Sequence, residues 1–99
     1  MCGIAGIVNE SKPPGAQEIG KMIADIGYRG PDGIGQICHA SDGVALGHRR
    51  LSILDLSDAG SQPMASADGR FWLVYNGEIY NFLEIRKDLE ALARLMASF

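Results

Sequence analysis

The chain has 99 residues, 46% of them apolar and 21% charged, with nine Lys and Arg against twelve Asp and Glu for a net charge of −3. That length leaves room for one domain at most and excludes a multidomain enzyme, and a composition this ordinary excludes disorder or a fibrous repeat as the default. No segment gathers enough basic side chains to follow a phosphate backbone, the longest uninterrupted apolar run (Phe71 to Tyr75) is far too short for a bilayer, and no basic segment leads into an apolar one at the N-terminus; the expected setting is cytosolic, without nucleic acid or membrane as partner and with Cys2 and Cys38 as free thiols.

Residues 3 to 8, Gly-Ile-Ala-Gly-Ile-Val, form an apolar run without helical spacing and predict a buried strand, followed by a turn at Lys12-Pro13-Pro14-Gly15. Ile19, Met22, Ile23 and Ile26 recur at i, i+3, i+4 and i+7, the stripe of an amphipathic helix, with Gly27 placed to cap it and Gly20 weakening it. Tyr28 to Gly35 holds too many backbone specialists for a regular element and reads as an ordered, site-shaping loop. Asp42-Gly43 is a tight turn joining a strand at Ile34–Ala40 to another at Val44–His48, since both central positions tolerate positive φ. Asp68-Gly69 leads likewise into Arg70–Tyr75, whose Phe, Trp, Leu, Val and Tyr predict a well-buried strand, for a sheet of about four strands in all. Asn81 with Glu84 resembles a capping box, and Ile85, Leu89, Leu92 and Met96 line one face of the helix that follows. No Gly, Asn or Pro closes that helix before Phe99.

Cys2 lies directly behind the initiator Met. Removal of Met1 would place its thiol beside a free α-amine, and with an ordinary pKa of roughly 7.7–8.0 that amine is neutral often enough to accept the thiol proton. The alternative is a small apolar residue opening a buried strand. Arg50, in Arg49-Arg50-Leu51-Ser52-Ile53, offers a guanidinium that can grip a carboxylate through two parallel hydrogen bonds, or form a surface ion pair. In Asn76-Gly77-Glu78 the Asn amide and Gly N–H suit an oxygen that becomes negative during acyl transfer, and Glu78 suits an ammonium group, although Asn-Gly is also a common turn. Cys38, His39 and His48 lack the close Cys or His pairs of a zinc site, so no metal is expected; both histidines read as strand residues and Trp72 as core.

Taken together, Met1-Cys2-Gly3-Ile4-Ala5-Gly6, Arg29-Gly30-Pro31-Asp32, Gly47-His48-Arg49-Arg50-Leu51-Ser52-Ile53, Gln62-Pro63-Met64 and Asn76-Gly77-Glu78-Ile79-Tyr80-Asn81 resemble the glutaminase domain of asparagine synthetases, from residue 1 to about residue 92. The resemblance implies an α+β fold of the N-terminal nucleophile hydrolase type, two antiparallel sheets stacked between helical layers, and hydrolysis of glutamine to glutamate and ammonia. It implies Cys2 as nucleophile, Asn76 and Gly77 as oxyanion donors, Arg50 as ligand of the glutamine carboxylate, and further glutamine contacts along Arg50, Leu51, Ser52, Ile53 and Leu54 and at Glu78. No cofactor is implied for this half-reaction; ATP and Mg would belong to a synthetase domain absent from this chain.

The family continues past this helix to a Ser-Asp-containing turn whose Asp holds the glutamine α-amine, and no counterpart occurs here. The expectation is therefore the N-terminal part, residues 1–99, of a glutamine amidotransferase domain. A non-catalytic relic, or an interaction fragment that pairs with a separately encoded synthetase remainder, stands as the alternative. Tyr28 also replaces the His that commonly precedes Arg-Gly-Pro-Asp.

Overall fold

The computed structural model describes residues 2–51 and 60–97. Its centre is an antiparallel sheet of β1 (Gly3–Val8), β2 (Gly33–His39) and β3 (Val44–Arg50) in the order β1-β3-β2. The central β3 pairs with β1 from Gly3↔Arg49 to Val8↔Val44, and with β2 from Gly33↔Arg50 to His39↔Val44. Helix α1 (Ala16–Asp25) covers one face. A small hairpin of β4 (Met64–Ala65) and β5 (Trp72–Leu73) and the helix α2 (Phe82–Ala97) complete the described chain, an α+β arrangement with antiparallel sheets and two helices.

The helical stripe read from the sequence explains how α1 seats on the sheet. Ile19 and Ile23 are buried together with Ala45, while Met22 faces outward. A Cβ at Gly47 would run into Ile23, so a bare backbone at the middle of β3 is what allows the close approach. The Glu18 carboxylate accepts the Gly15 N–H at 3.4 Å, and Gln36 Nε2 donates to the Ala16 carbonyl at 3.3 Å, tying the first turn to β2. Gly27 does not cap α1 but opens a 3-10 turn, Gly27–Arg29, because Arg49 Nη2 donates to the Gly27 carbonyl at 3.4 Å and holds that segment against β3.

Four further expectations are corrected. The β2–β3 connection is not a two-residue turn: Asp42 ends a 3-10 turn, Ala40–Asp42, and Gly43 alone takes positive φ, 68°. β2 begins at Gly33, inside the segment read as loop, because Asp32 N–H already donates to the Arg50 carbonyl at 2.9 Å and draws the chain into register. β1 is covered on one face only: with α1 beneath and the hairpin lying over the β2 side, Ile4 and Val8 remain 49% and 76% exposed. The expected strand Arg70–Tyr75 contracts to Trp72–Leu73, with Phe71 and Leu73 exposed.

The hairpin is short for a local reason. Asp68 Oδ1 accepts from Ser66 Oγ at 2.7 Å and from the Arg70 N–H at 3.1 Å, spending residues 66–71 on the turn, and at the other end Gln62 Oε1 takes the Tyr75 N–H. Among the described residues, two small sheets thus replace one of about four strands. Helix α2 forms where predicted, but none of its side chains is buried, and Ile79, Phe82, Ile85 and Leu89 line an open apolar groove along it.

Candidate active site

Strand alternation builds the site. With Ala45, Gly47 and Arg49 directed to α1, the even-numbered positions Cys2, Ile4, His48 and Arg50 share the opposite face, at the end where β1 begins and β3 finishes. The half-buried Cys2 is held at both ends. Its Sγ accepts the Leu51 N–H at 3.3 Å and lies 3.7 Å from the Leu51 carbonyl, and its own carbonyl accepts from Arg29 Nε at 3.0 Å. Cys2 and Cys38 are both free thiols.

The Arg29–Asp32 segment is the strap behind this placement. Gly30 packs so tightly on β3 that a Cβ there would stand 2.6 Å from the Arg50 nitrogen and closer still to the Arg49 carbonyl. Arg49 Nε donates to the Gly30 carbonyl at 3.1 Å, and the Asp32 N–H reaches the Arg50 carbonyl. The expected site-shaping loop is therefore present, and its work is to fix the backbone around Cys2 and Arg50. Arg50 itself is half-buried, with its guanidinium against Gly60.

His48, between Cys2 and the hairpin on this face, is 1% exposed. Burial pushes its imidazole below the ordinary 6.5; a backbone hydrogen bond to Tyr75 works in the opposite direction, and the positive charge of Arg50 adds to the lowering. Its Nε2 has no hydrogen-bond partner among the described residues. Asn76, Gly77 and Glu78 are exposed on the segment from β5 to α2, and the Tyr75 ring folds over Gly77.

Cys2, Arg50 and Leu51 are thus brought together, whereas Asn76, Gly77 and Glu78 make no hydrogen bond to Cys2 among the described residues and are tied to the sheet through Tyr75. Ser52, Ile53 and Leu54 lie outside the described residues. Among those described, no three His, Cys, Asp or Glu side chains gather to hold a metal ion. Cys38 sits on β2 toward α1, and His39 packs on Trp72 with ring centroids 5.2 Å apart.

A family profile described as a glutamine amidotransferase domain matches residues 1–98. The chain belongs to this family. Similar proteins include asparagine synthetase [glutamine-hydrolyzing] 1 of Bacillus subtilis, 42% identical over 92% of this chain and 15% of its own length, and the putative asparagine synthetase [glutamine-hydrolyzing] 2 of Methanocaldococcus jannaschii, 41% identical over 88% of this chain and 20% of its own. The amidase chry2 of Gibberella zeae is 34% identical over 90% of this chain and 15% of its own length. The amidotransferase chain thus spans a fifth or less of these relatives. No solved structure gives a significant match.

Reading the amidotransferase sequence alone missed Arg29, Arg49 and Gln62 as site-building residues. All three fall inside blocks that carry the family resemblance, which was the available signal, but the long-range backbone carbonyls and amides they serve leave no local pattern. Among the described residues no helix is long and apolar enough to cross a membrane.

Proposed function

We propose that this chain provides the glutamine-binding and nucleophilic part of a glutamine-hydrolysing amidotransferase of asparagine synthetase type, built on the N-terminal nucleophile hydrolase plan and working in the cytosol. The observation that carries this reading is the seating of Cys2: a half-buried thiol just ahead of β1, anchored through sulfur to Leu51 and through its carbonyl to Arg29, on the same sheet face as Arg50.

After loss of Met1, the free amine of Cys2 takes the thiol proton and the sulfur attacks the side-chain carbonyl carbon of glutamine, forming a C–S bond. The carbonyl oxygen becomes an oxyanion, which Asn76 and the Gly77 N–H stabilise. Collapse breaks the C–N bond, the ammonium gives its proton to the departing nitrogen, and ammonia leaves; water then cleaves the thioester to glutamate and the thiol. Arg50 pairs with the substrate α-carboxylate through two hydrogen bonds, Leu51, Ser52, Ile53 and Leu54 line the bound glutamine, and Glu78 meets its ammonium. None of these steps uses a metal or organic cofactor; ATP and Mg would serve a synthetase partner.

Exposed apolar side chains on β1 and α2 support a second reading, a fragment that pairs with a separately encoded synthetase remainder. Intact mass and labelling by 6-diazo-5-oxo-norleucine separate the two. The enzymatic reading expects loss of one methionine and alkylation of Cys2 with Cys38 spared; preferential reaction at Cys38, or none at either thiol, overturns it.

A further inference from the structure

We propose that Gln62 and His48 form a clamp on the Tyr75 backbone that sets where Asn76 and Gly77 stand relative to Cys2. The inference rests on the glutaminase reading and extends it to two positioning residues.

Tyr75 is exposed and lies outside any strand, so water is the expected partner for both of its backbone polar groups. Instead, side chains from two separate elements take them. Gln62 Oε1 accepts the Tyr75 N–H at 2.6 Å. His48, buried on β3, has the Tyr75 backbone as its hydrogen-bond partner, and we assign it the carbonyl because the contact favours the protonated imidazole. The residue that follows is Asn76.

Both jaws are fixed to the sheet that also holds the nucleophile. His48 is on the central strand, two residues before Arg50 and three before Leu51, the residue that grips Cys2 Sγ. Gln62 is pinned from beneath: its carbonyl occupies the space where Gly35 would carry a Cβ, and Gly35 is the cross-strand neighbour of His48. A continuous set of contacts therefore runs from Cys2 through Leu51 and β3 to His48, then to Tyr75 and Asn76. Misplacing a transition-state donor by about 1 Å can cost up to roughly a hundredfold in rate, so holding this segment has a direct kinetic consequence.

Two substitutions isolate the hydrogen bond from the packing. Gln62→Met keeps length and volume but offers no strong acceptor, while Gln62→Glu keeps an acceptor. In the full 99-residue chain, Gln62→Met should lower kcat for glutamine about tenfold with KM changed less than about twofold, and Gln62→Glu should stay within about threefold of wild type, as expected for loss or retention of one hydrogen bond. By NMR, Gln62→Met should speed amide exchange at Tyr75 about tenfold, and His48→Gln, which retains an N–H donor, should disturb that amide less than His48→Leu. Equal kcat in Gln62→Met and wild type, or unchanged exchange at Tyr75, overturns the clamp. A wild type with no turnover and no Cys2 labelling instead overturns the glutaminase reading, and the exchange measurement then decides the clamp by itself.

Discussion

Replacing Gly30 by Ala should detach the strap that organises Cys2. The added methyl would stand 2.6 Å from the Arg50 nitrogen and nearer still to the Arg49 carbonyl, against 3.4 Å where ordinary contact begins. Both obstacles are backbone of β3, which pairs on each side with β1 and β2, so no side-chain rotation relieves the clash. The loop must lift instead, straining the bonds Arg49 Nε to Gly30 and Asp32 N–H to Arg50. Overpacking costs about 1–3 kcal/mol, and two lost hydrogen bonds add about 0.5–1.5 kcal/mol each, so a loss of at least about 2 kcal/mol is expected. For a domain of this size that lowers Tm by about 8 °C or more. Thermal unfolding followed by circular dichroism measures it, with Gly15→Ala as control, since nothing lies within 4 Å of a Cβ there. Cys2 alkylation should also change, because Arg29 in the same segment holds the Cys2 carbonyl. If Gly30→Ala and Gly15→Ala melt together, the strap does not brace the sheet as described.

The first half of the chain was legible because its determinants are local and periodic. The stripe Ile19, Met22, Ile23, Ile26 announces α1, of which Ile19 and Ile23 form the buried face, and Asp42-Gly43 marks the reversal between β2 and β3 even though Gly43 alone needs the left-handed region. The second half was misjudged where pattern stands in for packing. Phe71 to Tyr75 is as apolar as a central strand, yet strand length depends on a partner, and here the partner β4 is two residues long. Within the site, Cys2 announces itself by position and Arg50 by its motif. Their supports do not: Arg29 reaches Cys2 across 27 residues and Gln62 reaches Tyr75 across 13, and a polar side chain serving a distant carbonyl or amide leaves no period in the sequence.

Arg50→Ala and Asn76→Ala should divide binding from chemistry. With each charge-assisted hydrogen bond to the substrate carboxylate worth about 1.5–3 kcal/mol, Arg50→Ala should raise KM at least about tenfold with kcat little changed, while Asn76→Ala should lower kcat by roughly 10² to 10³ at near-constant KM. Steady-state glutamine hydrolysis reads both, and an exchange of the two patterns would reverse the assigned roles. The last prediction concerns stability against pH. His48 titrates below its ordinary 6.5 in the folded chain, chiefly because it is buried, so between the two values the unfolded chain binds the extra proton. Stability should therefore be undiminished by this group above about pH 6.5 and fall as pH drops toward the lowered folded value, with Arg50 opposing the new charge. Urea unfolding from pH 7.5 to 5 should record that fall in the wild type and a flatter profile in His48→Gln. Parallel profiles would mean that His48 takes up its proton as readily in the folded chain as in the unfolded one, which a ring 1% exposed and facing a guanidinium should not do.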